Sequence, residues 1–483
     1  MMKKLLLIVS LVTLFFNNVY TFAQTTELVY SLGLASSSVQ VTSIATDASD
    51  NIFICGNFTG TNVNFNPLVA GADSLRTSSG QDGFIAKYNS SGQLQKVIKF
   101  GNSSTDAANK IYVDSSNNVY VLANIFGTVY FDNGTAFAYA LAGGSGSMAF
   151  VKYNNNLQFQ VGKAIKPTGG ATGDIPSDIK VSGTNIYITG RLANANVNFN
   201  TVVLSSLGST DIFVAKYNST FVCQWAYNFG GASGDGGNAI DLDNPGNIYL
   251  TGFFRGQNIN MNPLGNNLLS ESGGSNTGDV FVAKYSSTMA YQWGLNFGGG
   301  LFDQGNSLIV NKSTSDVYVA GATASDVLSV YFDPLSTTTG VYKGAGLNDI
   351  FVASYTTAGA YRWSKGIGGT QDDIASQIVF DASNDVIMTG YFQGSGISFG
   401  NSVSLTSLGG KDVFVSVMTP AGVTSSGFNV AGAGNEQGNT INFSAAGKVY
   451  VAGELYASGD YDPTSSVKTI TLQGNVDGFV ARY

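Results

Sequence analysis

The sequence predicts an all-β protein in which seven repeated units close into a ring. Three observations support this prediction: a short phrase returns seven times, the composition favours strands and tight turns, and the chain begins and ends part-way through a unit. Glycine accounts for 61 of the 483 residues, 12% of residues are aromatic and only 11% are charged. This composition is typical of strands joined by turns, with enough apolar residues for a large core.

The repeated phrase begins with Asp in six of its seven copies. The copies are DGFIAKY at residue 82, MAFVKY at 148, DIFVAKY at 211, DVFVAKY at 279, DIFVASY at 349, DVFVSVM at 412 and DGFVARY at 477. Successive copies end 63 to 70 residues apart. A fixed period of this length indicates a structural unit of several strands.

Each unit contains four strand-forming segments, which we name A to D in chain order. In the fourth unit, A and B form IDLDNPGNIYLTG, two β-rich runs around a turn, C is DVFVAKY, and D is YQWGLNF followed by glycines. No segment after the first two dozen residues carries a helical period. Seven four-stranded units predict a seven-bladed β-propeller. A β-helix or sandwich array is the alternative, but an open solenoid would need capping repeats that the sequence lacks.

The two ends of the chain predict how the ring closes. Residues 27–33, ELVYSLG, resemble a D segment without a unit of its own, whereas the last unit stops on its C segment. Pairing residues 27–32 with residues 477–483 would complete the seventh blade. It would also cover two strand edges that are otherwise open to aggregation.

Each unit also carries a long insert between B and C, of 21 residues in the third unit and 28 in the fifth. First arms such as VNFNP and second arms such as VSLTSLGG predict a small extra hairpin in every unit. The B–C and D–A connections of a propeller lie on one face, which we call the insert face. The A–B and C–D turns lie on the opposite side, the turn face. Seven hairpins are therefore expected to form a collar on the insert face.

The first residues predict export. Lys3 and Lys4 precede an apolar run over residues 5–16 and a polar stretch that ends at Ala23, which is the pattern of a secretory signal peptide over residues 1–23. A membrane anchor is the alternative, but the run is shorter than the roughly 20 residues that span a bilayer. We expect residues 24–483 to be one soluble, monomeric propeller without a transmembrane segment, located in the periplasm, at the cell surface or outside the cell.

The phrases DVFVAKY, YQWGLNFGG and GNIYLTG resemble those of the bacterial seven-bladed β-propeller repeat (SBBP) proteins. The resemblance covers essentially the whole chain after the signal peptide. It implies an exported propeller and implies almost nothing about a ligand. The chain departs from the short family repeat in its long B–C inserts.

Composition excludes several kinds of chemistry. The sequence contains no histidine, so triads that depend on His, His-ligated zinc and His proton shuttles are excluded. Cys55 and Cys223 lie in strands two units apart, farther than the roughly 7 Å between Cα atoms that a disulfide allows. Both cysteines are expected to be free and buried. Without the signal peptide, 21 basic residues minus 31 acidic residues leave a formal charge of −10, which disfavours nucleic acid as a partner.

Two further groups have structural and functional interpretations. Trp225, Trp293 and Trp363 share one D-segment position, where packing between blades is expected and sugar stacking is the alternative.

VYFDP and DYDP suggest calcium at Asp333, Asp460 and Asp462, but the matching places in other units are mainly Asn or Gly. Calcium sites gather several oxygen ligands in one loop. We therefore expect no metal and no cofactor.

Acids occupy one place in six units, five residues before the first apolar residue of the A segment. They are Asp106, Asp174, Asp235, Asp303, Asp373 and Glu436. Because the D–A connection reaches the innermost strands, these side chains could ring the mouth of the central channel and bind a ligand or cation. The structural alternative is that each acid holds its own turn, because Asp three residues before Asn, as in Asp235 and Asn238, suits such a bond.

These observations predict an exported, non-enzymatic binding or scaffold protein of the bacterial cell envelope. An unknown protein or a neutral glycan would bind on the insert face, where the acids would disfavour anionic polymers. We expect no catalytic residue. A carboxylate-based carbohydrate-active enzyme is the alternative, and it would need two carboxyl groups about 5 to 10 Å apart in a pocket outside the repeated positions.

Overall fold

The chain folds into strands throughout its described part. The computed structural model describes residues 28–33, 37–66, 74–75, 77, 80–102, 104–132, 140–142, 146–167, 173–272, 277–324, 329–344, 346–464 and 467–483. The predicted signal peptide lies outside these ranges. Every regular element within them is a β-strand, and they contain no helix long and apolar enough to cross a membrane. The fold is an all-β, seven-bladed propeller, as predicted.

Each blade is an antiparallel sheet with its strands in the order A, B, C, D. The A strands are Ser38–Thr46, Ala107–Val113, Ile175–Ser182, Gly236–Leu242, Gln304–Asn311, Ile374–Phe380 and Gln437–Phe443. The B strands are Ile52–Thr59, Val119–Ile125, Asn185–Leu192, Ile248–Phe254, Asp316–Ala324, Val386–Phe392 and Val449–Leu455. The C strands are Asp82–Tyr88, Ser147–Tyr153, Asp211–Asn218, Asp279–Tyr285, Asn348–Thr356, Asp412–Met418 and Asp477–Arg482. The D strands are Leu94–Phe100, Phe159–Pro167, Cys223–Phe229, Tyr291–Phe297, Tyr361–Ile367, Thr424–Gly432 and, in blade 7, Leu28–Leu32.

Blade 7 is built from both ends of the described chain. Leu28–Leu32 pairs antiparallel with Asp477–Arg482, so that Leu28 faces Arg482 and Leu32 faces Gly478. Blade 7 also contacts blade 1, because the Nδ2 atom of Asn439 donates to the carbonyl oxygen of Val41 at 3.0 Å. The N-terminal strand therefore supplies the D strand that the last unit lacks. Glu27, which the predicted pairing also included, lies outside the described residues.

The core lies between successive blades. The Phe of the repeated C phrase is fully buried in every blade, as are most B-strand side chains. Blades 1 and 2 illustrate the packing: Phe53, Ile85 and Ile98 of blade 1 share one apolar cluster with Val121 and Val151 of blade 2. Because each cluster draws on two sheets, burial of apolar surface ties neighbouring blades together.

The predicted insert hairpins are present in all seven units. Their paired arms are Val63–Asn64 with Ser74–Leu75, Thr128–Tyr130 with Ala140–Ala142, Val197–Asn198 with Val203–Leu204, Ile259–Asn260 with Leu268–Leu269, Val330–Tyr331 with Val341–Tyr342, Ile397–Gly400 with Val403–Leu405, and Gly459–Asp460 with Thr469–Ile470.

The hairpins lie on the outer rim of the disc, so the predicted collar on the insert face is wrong. In the third insert, Asn198 pairs with Lys166 in the outermost strand of blade 2. Farther along the same insert, the Oγ1 atom of Thr201 donates to the carbonyl oxygen of Cys223 in the outermost strand of blade 3, at 2.9 Å. The seventh insert also pairs with the D strand of the preceding blade. In these two inserts, the outer edge of the preceding D strand supplies the backbone groups with which the hairpin pairs.

The last residue of the C phrase fixes each insert to its blade. In six blades this residue is a buried Tyr whose hydroxyl donates to a carbonyl oxygen at the end of the first insert arm, for example from Tyr285 to Met261 at 2.7 Å. Blade 6 has Met418 instead, and Thr424 donates to the equivalent carbonyl of Phe399. The repeated Tyr is therefore a structural residue.

Candidate functional site

The six acids predicted to ring the channel mouth are 0–1% exposed, and each binds backbone N–H groups. Asp235 joins two blades: its Oδ2 accepts from Gly231 in the D–A connection at 2.6 Å, and its Oδ1 accepts from Arg255 after strand B of blade 4 at 2.8 Å. The same two-sided arrangement occurs at Asp106, Asp303 and Asp373, and Asp174 and Glu436 accept from Ala193 and Ala457. Their predicted place at the channel mouth is wrong, because their oxygens face the backbone between blades.

Burial dominates the acid–base behaviour of these carboxyl groups. Burial raises the pKa of Asp106, Asp235 and Asp373 to about 6, although the two backbone hydrogen bonds at each of them lower it. Burial also raises the pKa of Asp174 and Glu436. A group that binds its proton near neutral pH is a candidate acid or base when substrate can reach it. These groups are enclosed, so their shift is a property of the fold.

The aspartate that opens most C phrases lies beside the D–A acid that follows it in the chain. Asp279 Oδ1 and Asp303 Oδ2 lie 2.2 and 2.7 Å from the point where a Cβ atom on Gly298 would stand. Only glycine leaves room for both carboxylates there. Blade 2 has Ser147 in place of the aspartate, and its D strand ends on Lys166 and Pro167 without a glycine. The glycines that close most D segments thus accommodate buried acid pairs.

A ring of polar side chains surrounds the central channel. Each A strand has one register shift against its B strand, which leaves one residue unpaired; these residues are Thr42, Asn109, Ser177, Asn238, Asn306, Ser376 and Asn439. Asn238 Nδ2 donates to the carbonyl of Gly305 in the next blade at 2.9 Å, and Asn306 donates likewise to Ala375. The expected bond of Asp235 with Asn238 within one turn is absent, because each side chain contacts a different neighbour.

The central channel has a volume of about 300 Å³ and is lined by the A strands of all seven blades. Two ion pairs lie along one side of it, Lys110 Nζ to Asp178 Oδ1 at 3.4 Å and Lys180 Nζ to Asp241 Oδ1 at 3.6 Å. Asp178 also accepts from the N–H of Ile240 at 3.0 Å. Burial alone would lower the pKa of Lys180, but Asp241 and Asp178 raise it. These charges are engaged with one another and with backbone.

Non-repeated side chains on the insert face form a cluster that the sequence patterns did not predict. Arg191 and Arg255 follow equivalent B-strand glycines in consecutive blades, and each stacks on an aromatic ring. The Cζ atom of Arg191 lies 4.8 Å from the ring centre of Phe253, and that of Arg255 lies 4.8 Å from the ring centre of Phe302. The sequence signal for this cluster was an arginine after TG in the third unit and another after TGFF in the fourth unit. We call these four residues the arginine cluster.

Exposed leucines lie on the same face. Leu207, Leu347 and Leu408 are 65%, 59% and 72% exposed, and each belongs to the segment that enters a C strand. Leu301 lies in the connection between blades 4 and 5 and is 42% exposed. The D–A acids contribute no exposed negative charge beside them. Asp372 and Lys411 form an ion pair of 3.9 Å on the same face, so the face presents apolar, basic and acidic side chains.

Both cysteines are buried and free, as predicted. Cys55 lies in the apolar cluster between blades 1 and 2, and Cys223 lies in the cluster between blades 2 and 3. Burial raises the pKa of Cys55 to about 12 and also raises that of Cys223. A buried thiol with a raised pKa is a poor nucleophile.

The tryptophans pack between blades, as expected. Trp293 Nε1 donates to the carbonyl of Thr357 at 3.0 Å, and Trp363 Nε1 donates to that of Pro420 at 2.9 Å. Each indole lies over a glycine of the next blade's C–D turn, Gly359 or Gly422, which has a positive φ. These rings are therefore partly covered by protein.

The aspartates considered for calcium hold their own hairpins. Asp333 accepts from the N–H of Leu335 and the hydroxyl of Thr339, and Asp460 accepts from the N–H groups of Asp462 and Lys468. Across the described ranges, no three His, Cys, Asp or Glu side chains are grouped as a metal site would require.

Comparison with known proteins adds little about function. No family model matches the sequence. The chain is 24% identical over 427 residues to the uncharacterized WD repeat-containing protein L264 of Acanthamoeba polyphaga mimivirus, a match to 74% of this chain but to 30% of that protein. It is similar to a chain of the Mitotic Checkpoint Complex (8% identity, TM-score 0.44, 89% and 90% of the two chains) and to Sqt1 from Chaetomium thermophilum (10%, 0.42, 94% and 99%). These low TM-scores support no inference about activity.

Proposed function

We propose that the chain is a non-enzymatic binding module whose protein partner docks on the insert face. The observation behind this proposal is the set of exposed leucines there: Leu207, Leu301, Leu347 and Leu408 all lie on blades 3 to 6. The turn face exposes two large apolar side chains among the described residues, Val222 and Val423. Within the described ranges, the rim hairpins of several blades expose seven more: Val203, Leu264, Leu268, Tyr331, Leu335, Val341 and Val467. Exposed apolar side chains on a rigid scaffold favour a protein partner over a neutral glycan.

The way the repeat uses its polar residues supports the same proposal. The acids of the D–A connections and the asparagines of the channel ring bind backbone groups of neighbouring units. Specificity would then reside in side chains that differ from blade to blade. This division, with a rigid repeated frame and variable connections, is common in scaffolds that bind other proteins.

The enzyme alternative would rely on Asp178 and Asp241, two acids near the channel that lie outside the repeated positions. Each is ion-paired and accepts a backbone N–H, Asp178 from Ile240 and Asp241 from Val310. These contacts are those of structural carboxylates, so they favour the binding module. Hydrolysis of a glycan that Asp178→Asn abolishes, with folding intact, would establish the enzyme.

The binding surface can be tested with three matched variants of the full chain. Partners are first captured with the tagged protein from an extract of the source organism, and the affinity of each is then measured. Replacing Leu207, Leu347 and Leu408 with Ser should weaken binding at least about tenfold, because several buried apolar contacts are lost.

Two control variants carry substitutions of similar kind elsewhere. Val222→Ser with Val423→Ser probes the turn face, and Leu335→Ser with Val467→Ser probes the rim. Both should bind within about twofold of the native protein. If either control loses affinity while the insert-face variant keeps it, the assignment of the surface is wrong.

We also propose that the protein is exported and acts at the bacterial cell envelope. This rests on the signal-peptide pattern of residues 1–23 and on the resemblance to the SBBP proteins. N-terminal sequencing of the protein from its natural source should give Gln24 as the first residue. Recovery of the intact chain from the cytosol, beginning at Met1, would contradict export.

A further inference from the structure

The arginine cluster packs two cations against two aromatic rings on the insert face. Phe253 and Phe302 contact each other edge to face, with ring centres 5.0 Å apart. The guanidinium carbon of Arg255 lies 4.8 Å from the ring centre of Phe302 and 5.9 Å from that of Phe253, and the guanidinium carbon of Arg191 lies 4.8 Å from the ring centre of Phe253. Gly236 and Gly278 make room for the stack, because a Cβ on the first would meet Arg191 and a Cβ on the second would meet Phe302.

Neither guanidinium group forms an ion pair among the described residues, although buried carboxylates lie near Arg255. Within the part of the chain that the structure describes, no carboxylate lies within ion-pair distance of Arg191 or Arg255. The Nε atom of Arg255 is buried and has no hydrogen-bond partner there. Arg191 donates to Asn238 at 3.3 Å, a neutral acceptor. Asp235 interacts electrostatically with Arg255, but its oxygens already accept two backbone N–H groups. The buried Glu271 also lies beside Arg255, and its Oε2 accepts from the N–H groups of Gly256 and Gly278.

Placing two half-buried cations side by side costs desolvation and charge-repulsion energy, which an ion pair with an acidic side chain would reduce. Burial, and then the charge of Arg255, lower the pKa of Arg191. Stacking on aromatic rings offsets only part of the desolvation cost. A guanidinium stacked by its face still presents N–H donors at its edge, in a geometry that matches a carboxylate.

We infer that the arginine cluster is the anchor site for an acidic side chain, an Asp or Glu carboxylate in an apolar-acidic segment of the protein partner. This inference rests on the proposed function. Leu301 adjoins Phe302 in the chain and is 42% exposed, so apolar contact surface lies beside the two cations. The loop of Leu207 packs on the D–A turn that carries Asp235. The N–H of Leu207 donates to Asp211, and Gly208 lies against Gly231 of that turn. Asp235 in turn accepts the N–H of Arg255. A carboxylate flanked by apolar side chains complements this surface in charge and in polarity.

The test uses a fluorescent 12-residue peptide of alternating Glu and Leu, titrated into the full chain. Arg191→Gln combined with Arg255→Gln should raise its Kd at least about tenfold, since two charge-assisted hydrogen-bonding groups are lost. The control is Arg362→Gln combined with Arg482→Gln, which removes the same charge elsewhere and should change Kd less than about twofold. A Lys–Leu peptide should not bind. Equal binding of the Glu–Leu peptide by both double variants would overturn the inference.

Two further measurements distinguish a carboxylate site from an oxyanion site and from a folding defect. Inorganic phosphate or sulfate that displaces the peptide at micromolar concentration would overturn the choice of a carboxylate in favour of a phosphate or sulfate group. The melting temperature of Arg191→Gln with Arg255→Gln should equal or exceed that of the native chain, because a like-charge contact is removed; this excludes misfolding as the cause of lost binding.

The natural partner distinguishes failure of this inference from failure of the proposed function. If the leucine variant loses the partner and the arginine variant keeps it, the docking face stands and the carboxylate site is wrong. If both variants keep the partner, the docking face is wrong as well. Loss of the partner in both variants supports both proposals.

Discussion

The turn face and the insert face each repeat an aspartate, but the two sets stabilise different parts of the molecule. On the turn face, Asp381 accepts the N–H groups of Ser383 and Asp385, two and four residues away. On the insert face, Asp235 also accepts two N–H groups, but one of them belongs to Arg255, twenty residues away. The first residue fixes a turn within one blade. The second joins the exit of one blade to the next.

The difference shows that this ring is held by polar links between blades as well as by its apolar core. The inter-blade acids are enclosed, and the N–H groups that they bind are taken out of water with them. On the turn face, Asp381 is half-buried, so water can replace much of what it does. Predictions that compare the two faces therefore differ in size.

The largest effect is expected from removing the longest-range link of all. Deletion of residues 477–483 would leave Leu28–Leu32 and Val449–Leu455 with open edges and would expose the apolar core of blade 7. We expect aggregation, or a melting temperature lower by more than roughly 10 °C. Tyr483→Phe, which removes just the hydroxyl bond to Tyr461, should cost far less. A truncated protein that melts like the intact one would show that these strands do not close the ring.

A smaller but clear difference should separate the two matched aspartates. Asp235→Ala leaves two buried N–H groups without an acceptor, so it should lower the free energy of unfolding by about 3 kcal/mol. Asp381→Ala removes the same number of bonds from a half-exposed turn and should cost about 1 kcal/mol. Denaturant unfolding of both variants measures the difference. An equal or reversed order would mean that the inter-blade acids contribute no more than local turns.

The two faces should also differ in their response to pH. The pKa of Asp106, Asp235 and Asp373 is about 6 in the folded chain against an ordinary 3.8. The folded state therefore binds these protons more tightly than the unfolded state, and stability increases as pH falls from about 7 towards 4. On the turn face, burial raises the pKa of Asp47, but hydrogen bonds led by that from Asn51 lower it overall. That contribution is present above 3.8 and is lost as pH falls below it.

The melting temperature should accordingly be higher at pH 5 than at pH 7.5, by roughly 2 to 5 °C, and should fall again below about pH 4. Asp235→Asn with Asp373→Asn should reduce the difference between pH 5 and pH 7.5. Asp333→Asn on the rim should leave it unchanged. A melting temperature that decreases from pH 7.5 to pH 5 would contradict the raised pKa values.

The sequence was sufficient for the features that depend on contacts close along the chain. Strand runs and turn residues repeat in each unit, so the four strands, the A–B turns and the existence of the insert hairpins could be predicted. The position of the hairpins could not, because it depends on contacts with another unit, as in the pairing of Asn198 in the third insert with Lys166 of blade 2.

The candidate site was harder to predict for the same reason. Asp235 accepts a hydrogen bond from an N–H group twenty residues away. No local pattern distinguishes a buried acid that links two blades from an acid at the channel mouth. The arginine cluster could not be predicted from the repeat because its residues depart from it. Arg191, Phe253 and Phe302 come from three different units, and only the fold brings them together.

The smallest expected effect concerns the inter-blade links of the turn face. Trp293 and Trp363 each donate an indole N–H to the next blade, whereas Trp225 packs against Tyr187 and Tyr227 and makes no such bond in the described structure. Substitution by Phe keeps an aromatic ring and removes the N–H in all three cases. Trp293→Phe and Trp363→Phe should therefore cost about 0.5 to 1.5 kcal/mol more than Trp225→Phe in denaturant unfolding. Because these bonds are partly exposed, the excess should remain below the loss at Asp235→Ala. An excess as large as that loss would remove the distinction between the two faces, since it would make the turn-face links as important to the ring as the buried acids.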